Sequence, residues 1–399
     1  MKKIPFFLSL AGGLFIILIS IYGFSLLRQR LGLPLEIRDL IQKKDAKLVQ
    51  IDDIRIEGKM DLEFILSQKT ISEQSTFLIE IDGKPEKKEA KFDYYYSQSL
   101  FPVIYLLIGI FCFIIAIVVF LLRAEDERAR IYYWASFAFA SAVIISGGFY
   151  CLREDWLSYI PGILYYFSYP LAAALLLHFS LSFSKIRLKI SKLIIYFPAL
   201  IFIGILETEF LYSCLNSSIE AHRVYEATFY VFRGYLVLFV LSAILSLIIS
   251  YKRAALEEEK AQIKWIFYGL FVGLAPFILL YQLPLALGIN PLLSEELSNA
   301  FFIFIPVAFA FSIVKFKLMN IELVINRSIV YSMLTVFTVS IYLFSVYLLG
   351  NIFSKFFSAR KTAVSLIGAL VAAAAFNPAR KKIQAFVDRA FFRMSYDYR

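Results

Sequence analysis

From residue 101 to residue 376 the chain is an almost unbroken succession of apolar runs cut by short polar segments, and that pattern leaves few architectures open. A helix needs about 20 apolar residues to cross a ~30 Å hydrocarbon core. Within lipid, only helices and closed barrels satisfy their own backbone polar groups. The runs predict spans at 101–122, 131–152, 160–183, 193–215, 229–251, 265–287, 301–314, 329–349 and 362–376. A further run, 4–27, follows Met1, Lys2 and Lys3. Arg28, Gln29 and Arg30 come next where a cleavable signal peptide would show small residues, so this run is expected to be an uncleaved anchor. The expected fold class is membrane all-α, a polytopic helical bundle of about ten transmembrane helices. Because the run 362–376 is short, nine spans with a re-entrant end are the alternative.

Charge orients the spans. The net charge of +10 is not gathered into a nucleic-acid patch. Of the basic residues in the short connecting segments and the two ends, 22 fall on the side that holds Lys2 and Lys3 and 5 on the other. That is a positive-inside bias, and it places both termini in the cytoplasm. Four regions follow: an anchor at 1–27, an extracytoplasmic domain at 28–98, a membrane domain at 99–376 and a cytoplasmic tail at 377–399.

Residues 28–98 carry 13 basic and 14 acidic side chains and are the one sizeable polar stretch. Val49, Ile51, Ile54 and Ile56 suggest a strand pair or a bent strand, Asp61 begins a short helix with Leu62, Ile65 and Leu66 inward, and 77–92 forms a hairpin about Asp82-Gly83. The order strand, turn, helix, hairpin resembles the second half of a PDZ domain, with QIDDIRIEGKMDLEFIL standing at the family's G-D-x-I-x-x-[IV]-[ND]-G and helix. Asp52 occupies the place of that motif's first glycine, and no carboxylate-binding G-L-G-F type loop is recognisable. The resemblance implies a small α+β fold and a candidate peptide surface.

Within the spans, Arg233 is the one basic residue placed well inside, about 6 Å deep if its helix begins at Phe229 and about 10 Å if it begins near Glu226. Glu207 and Glu209 lie about 12 and 9 Å from the end of the preceding span. A charge in a span usually finds a partner. By depth, Arg233 is expected to pair with Glu209, with Glu207 as the alternative.

Several chemistries are excluded. Zinc proteolysis needs H-E-x-x-H, whereas the histidines are His178 and His222 in unrelated contexts. No P-loop, dinucleotide fingerprint or zinc cluster is present, and no cofactor is expected. Cys112 lies mid-span as a small hydrophobe, while Cys151 and Cys214 fall near ends of spans on the same side, where they could form a disulfide.

The tail 376–399, FNPARKKIQAFVDRAFFRMSYDYR, combines six Lys and Arg with apolar Ile383, Phe386, Val387, Ala390, Phe391 and Met394 at steps of three and four. The spacing approximates a heptad and suits a parallel dimer; lying on the inner leaflet is the alternative. Together with 306–334, this tail resembles the end of the multi-span sensor region of a group of bacterial histidine kinases, which carries N-P-x-R-x-x-I-Q-x-x-V-D-R-x-F-[FY]-R-x-x-Y-D-Y before GAF and kinase domains. HFSLSFS at 178–184 and EEEKAQIKWIFYGLFVGLAPF at 257–277 resemble the same group.

The resemblance implies a multi-pass protein of the bacterial cytoplasmic (inner) membrane and a two-component-type signalling role. No phosphoacceptor histidine box or ATP lid follows the tail in this chain, so kinase catalysis is not carried over and an output domain is expected in cis or in trans. The expected partners are the lipid bilayer, a second copy, that output domain and a peptide or lipid ligand. Transport and scaffolding are the rival classes.

Overall fold

The computed structural model describes residues 3–43, 46–81, 83–96, 101–148, 150, 156–183, 192–282, 284 and 291–315. The predicted spans 329–349 and 362–376 lie outside them, as does the tail with Ile383, Phe386, Val387, Ala390, Phe391 and Met394. The chain divides into two compact units, one ending at Ile263 and one beginning at Lys264.

In the first unit α1 (Lys3–Leu27) leads into a small α+β domain. This consists of β1 (Leu31–Gly32), α2 (Leu35–Lys43), β2 (Lys47–Ile51), β3 (Ile54–Arg55), α3 (Lys59–Ser67), β4 (Gln74–Ile81), β5 (Lys84–Lys91) and β6 (Asp93–Tyr94). An antiparallel sheet runs in the order β3-β2-β4-β5, and β1 pairs with β6. Along β4 the alternation buries Ser75, Phe77 and Ile79 on one face, the period-two pattern of a half-buried strand. Phe77 and Ile79 share a core with Ile37, Ile51, Ile65 and Phe92. Gly83 turns the β4–β5 hairpin at φ +77°, as its Asp-Gly sequence requires. Asp52 is left-handed at φ 48°, a conformation that favours glycine and that a short aspartate tolerates.

The bundle of the first unit consists of α4 (Phe101–Arg123), α5 (Glu127–Ile145), α6 (Tyr159–Leu181), α7 (Lys192–Leu215) and α8 (Ile219–Arg253). Among the described residues seven helical segments are long and apolar enough to cross a membrane. These are Phe6–Leu27, Phe101–Arg123, Trp156–Leu181, Lys192–Leu215, Ile219–Arg253, Glu257–Tyr281 and Leu297–Val314.

The predicted span 131–152 fares differently. Its helix, α5, starts at Glu127 behind an Asp126 cap that accepts from the Arg128 amide, and it stops at Ile145. Charged Glu127, Arg128 and Arg130 leave too short an apolar run to qualify. Most of the helix from Ala129 to Ile145 is nonetheless buried, and Gly109 of α4 packs against its Ala140 and Ile144.

The second unit begins within α9 (Glu257–Ala275), which passes into a π-helical segment, Pro276–Gln282. It continues through α10 (Glu295–Ala300) into α11 (Phe304–Lys315). Gly269 and Gly273 bring the α9 backbone against Ala308 and Ile305 of α11.

Candidate functional site at the joint of domain and bundle

The largest difference from the spans expected lies in α8. Its apolar run starts at Phe229, yet the helix starts ten residues earlier, capped by the Ser218 hydroxyl accepting from the Ala221 amide. One face explains this. His222, Tyr225, Phe229, Phe232, Tyr235, Ala243, Leu247 and Ser250 are buried at helical spacing, so polar-looking HRVYEATFY continues the stripe. At ~1.5 Å per residue this 35-residue helix is about 52 Å long, which exceeds a ~30 Å hydrocarbon core. Its first turns stand against the α+β domain.

There α3 and α8 interlock. Arg223 donates from Nη2 to Asp61 Oδ2 at 3.1 Å and to the Arg55 carbonyl at 3.2 Å, and its Nη1 lies 3.3 Å from Glu57 Oε1. Asp61 is 1% exposed and also accepts from the Glu57 amide at 2.9 Å. Phe64, one turn along α3, stacks on His222 at 4.8 Å and joins the core of the bundle, whereas Ile219 of α8 packs against the cores of both parts. The Glu226 carboxylate lies beside Gly58, the residue that precedes α3. Negative charge is favoured at that helix end.

A second contact ties the end of α1 to the same helix. Arg30 pairs with Glu63 at 3.0 Å, donates to Tyr96 Oη and the Gly147 carbonyl, and lies over the Tyr95 ring. Burial acts to lower the guanidinium pKa, but Glu63, Tyr96 and Tyr95 outweigh it and hold the group above its ordinary value. Tyr96 donates to the Gly147 carbonyl at 2.8 Å, and burial pushes its phenol up. Beside this second contact lies a cleft of about 780 Å³ whose wall includes Leu27, Arg30, Glu63, Lys69, Ile71 and Tyr150.

Below the joint an aromatic column continues inside the bundle. The rings of His222, Tyr225, Phe229, Phe232, Tyr235 and Phe239 follow one another at centroid spacings of 4.3 to 5.9 Å. Tyr225 and Tyr166 share a 2.7 Å hydrogen bond, and Tyr235 donates to the Pro170 carbonyl of α6.

The expected charge pair does not form. Arg233 lies over the rings of Phe229 and Tyr230, and Glu209 instead accepts from Thr228 at 2.9 Å. Thr228 and Arg233 are five residues apart and therefore about 140° apart around α8, so a glutamate seated on Thr228 is out of reach of Arg233. Glu207, the other candidate, is on the opposite flank of α7 from Glu209 and does not pair with Arg233 either. Depth suggested the partner, but helix rotation decided it.

His178 shares a 2.7 Å hydrogen bond with Tyr196 and so serves helix packing. Among the described residues no group of His, Cys, Asp and Glu could hold a metal ion. Cys112 is a free buried thiol and Cys214 is disulfide-bonded. Cys151 lies outside the described residues. Sequence reasoning missed Asp61, Arg223, Phe64 and His222 as a group, and the signal available was the helical spacing from His222 to Tyr235. Comparison with known proteins finds no matching family model, no matching curated protein and no matching solved structure.

Proposed function

We propose that the chain is the membrane input module of a two-component-type receptor. It detects an extracytoplasmic or membrane-borne signal and passes it to a cytoplasmic output domain, such as a histidine kinase, in cis or in trans. The observation that carries this reading is the unbroken α8. It holds the α+β domain through Arg223 at one end and reaches Lys252 and Arg253 at the other. A helix without a break moves as one body, so displacement of α3 at the joint reaches the far side. Lys252 and Arg253 suit a cytoplasmic end, which puts the domain outside, and the left-handed Asp52 at the motif's glycine position supports the PDZ-like assignment. The reading places the protein in the bacterial inner membrane with about ten spans, working as a homodimer through the tail.

Spin labels at residues 252 and 182, with the protein in nanodiscs, test this. Breaking the joint with Arg223→Ala is expected to shift the distance between the labels; an unchanged distance distribution overturns transmission through α8. One observation favours transport as the second reading. The membrane-length helix that begins at Glu257 ends in a π-helical segment, Pro276–Gln282, and π turns are frequent at functional sites. Solute flux in proteoliposomes would favour that reading.

A further inference from the structure

One exposed face of α8 repeats at steps of three and four residues: Tyr230, Arg233, Gly234, Val237 and Leu241. At Gly234 a Cβ would meet nothing within 4 Å, so the stripe has an open notch beside its one charge. Among the described residues Arg233 forms no ion pair. Its guanidinium lies 5.4 Å from the centre of the Phe229 ring and 5.0 Å from that of Tyr230. The acids near it are engaged elsewhere: Glu209 is bonded to Thr228, and the Glu226 carboxylate, two turns away, lies beside Gly58. The Tyr230 hydroxyl makes no hydrogen bond among the described residues.

The height of this stripe follows from the helix itself. Nineteen residues separate Arg233 from Lys252, the first of the two basic residues that close α8. At ~1.5 Å per residue that is about 28 Å, nearly one ~30 Å hydrocarbon core. With Lys252 at one boundary, the Arg233 backbone lies just inside the other. Helical side chains lean toward the N-terminus of their own helix, here toward the α+β domain. Arg233 does so, since the rings it covers are three and four residues back along α8. The guanidinium therefore stands level with lipid phosphates in the leaflet on the domain's side, and Gly234, Val237 and Leu241 run from it into the acyl region.

We infer that this stripe is a phospholipid site. The guanidinium binds the phosphodiester, the Tyr230 hydroxyl donates to a further headgroup oxygen, and an acyl chain lies over Gly234 onto Val237 and Leu241. The planar fork of arginine matches two phosphate oxygens, and the stripe holds no carboxylate to compete for it. A cation at the edge of lipid is costly without an anion, which the headgroup supplies. The inference goes beyond the input-module reading: it needs α8 to cross a bilayer and is independent of signalling.

The test uses the full chain with arginine isotope-labelled at Cζ, reconstituted in phosphatidylglycerol bilayers. Solid-state NMR reads the dephasing of the Cζ signals by lipid phosphorus, and subtracting the spectrum of Arg233→Lys, which keeps the charge, isolates Arg233. That difference signal is expected to dephase as a guanidinium in contact with phosphate does; an undephased signal overturns the inference. A bilayer of phosphate-free glycolipid with inorganic phosphate in the buffer distinguishes the sources. No dephasing there supports the lipid, whereas dephasing assigns the contact to a free anion and overturns the lipid site. Phosphatidylglycerol carrying a diazirine on its acyl chain then maps the rest of the stripe. Its labelling of 234–241 is expected to fall about five-fold in Arg233→Gln, the effect of one basic residue at a membrane surface. Labelling should fall also in Gly234→Leu, whose side chain enters open space and leaves the fold intact. Unchanged labelling in both variants overturns the inference.

Discussion

Asp61, 1% exposed on the first turn of α3, receives the Arg223 guanidinium of α8 at 3.1 Å across 162 residues of sequence. The pair joins the two parts of the first unit, and its burial is uneven, because the Arg223 side chain remains 32% exposed. Losing the arginine therefore leaves a buried carboxylate, whereas losing the carboxylate leaves a cation within reach of water.

Arg223→Ala is accordingly expected to lower stability by about 2 kcal/mol, below the ~3–5 of a fully buried pair. Adding Asp61→Asn should recover part of the loss. Thermal melting of the single and double variants in detergent measures this, and strictly additive effects would show that the two residues are not coupled.

Phe64→Ala should cost about 3 kcal/mol by opening a cavity where the ring now stacks on His222. Hydrogen exchange across α3 should rise with it. Gly58→Ala is the control: the new Cβ would meet the Glu226 carboxylate at 3.5 Å, an ordinary contact, and the backbone there is extended. That variant should melt like the parent.

The α+β domain should have a broad stability plateau. Burial acts to raise the Asp52 carboxyl, but hydrogen bonds from Lys69 and the Thr76 amide outweigh it and hold the group below its ordinary value. Its contribution is present above the unfolded carboxylate pKa of ~3.9 and is lost as pH falls through the lower folded value. Burial acts to lower Lys69, but Asp52 and Glu73 outweigh it and raise the group. That contribution is complete below the unfolded ~10.4 and is lost as pH rises through the higher folded value. Melting temperature should be flat from about pH 5 to pH 9 and fall on both sides, with Lys69→Met flattening both limbs. An unaltered profile in Lys69→Met would remove the triad as their cause.

Arg233→Lys should be tolerated, since both side chains extend toward the interface while their stems cover apolar surface. Exchanging the charges in Arg233→Glu with Glu209→Arg should restore nothing, because Glu209 is bonded to Thr228. Thr228→Val, which removes that donor, should cost about 1 kcal/mol. Recovery of folding yield by the charge exchange would contradict the geometry.

Much of the architecture was legible residue by residue. The apolar stretch 77–81 and the Asp82-Gly83 pair marked the hairpin, because a half-buried strand and a tight turn each make local demands on residue type. The apolar helices at 101–122 and 193–215 were legible because lipid accepts little except apolar side chains over about 20 residues, whereas the helix expected from 265 begins eight residues earlier, at Glu257. The same rule misled where protein replaces lipid as the surroundings. At 219–228 the helix persists despite His222, Arg223 and Glu226, because one face is buried against α3 and α6. In α5, charged Glu127, Arg128 and Arg130 belong to a helix enclosed by its neighbours.

Composition and periodicity determined that this chain forms apolar helices and a small α+β domain. Only the tertiary structure decided that Asp61 meets Arg223, that Phe64 leaves its own domain for the core of the bundle, and that Arg233 lies over rings and not against a glutamate. The reason is geometric. Local pattern specifies which face of a helix is apolar, but the residue opposite that face depends on the rotation and offset of elements far apart in the chain, which packing sets all at once.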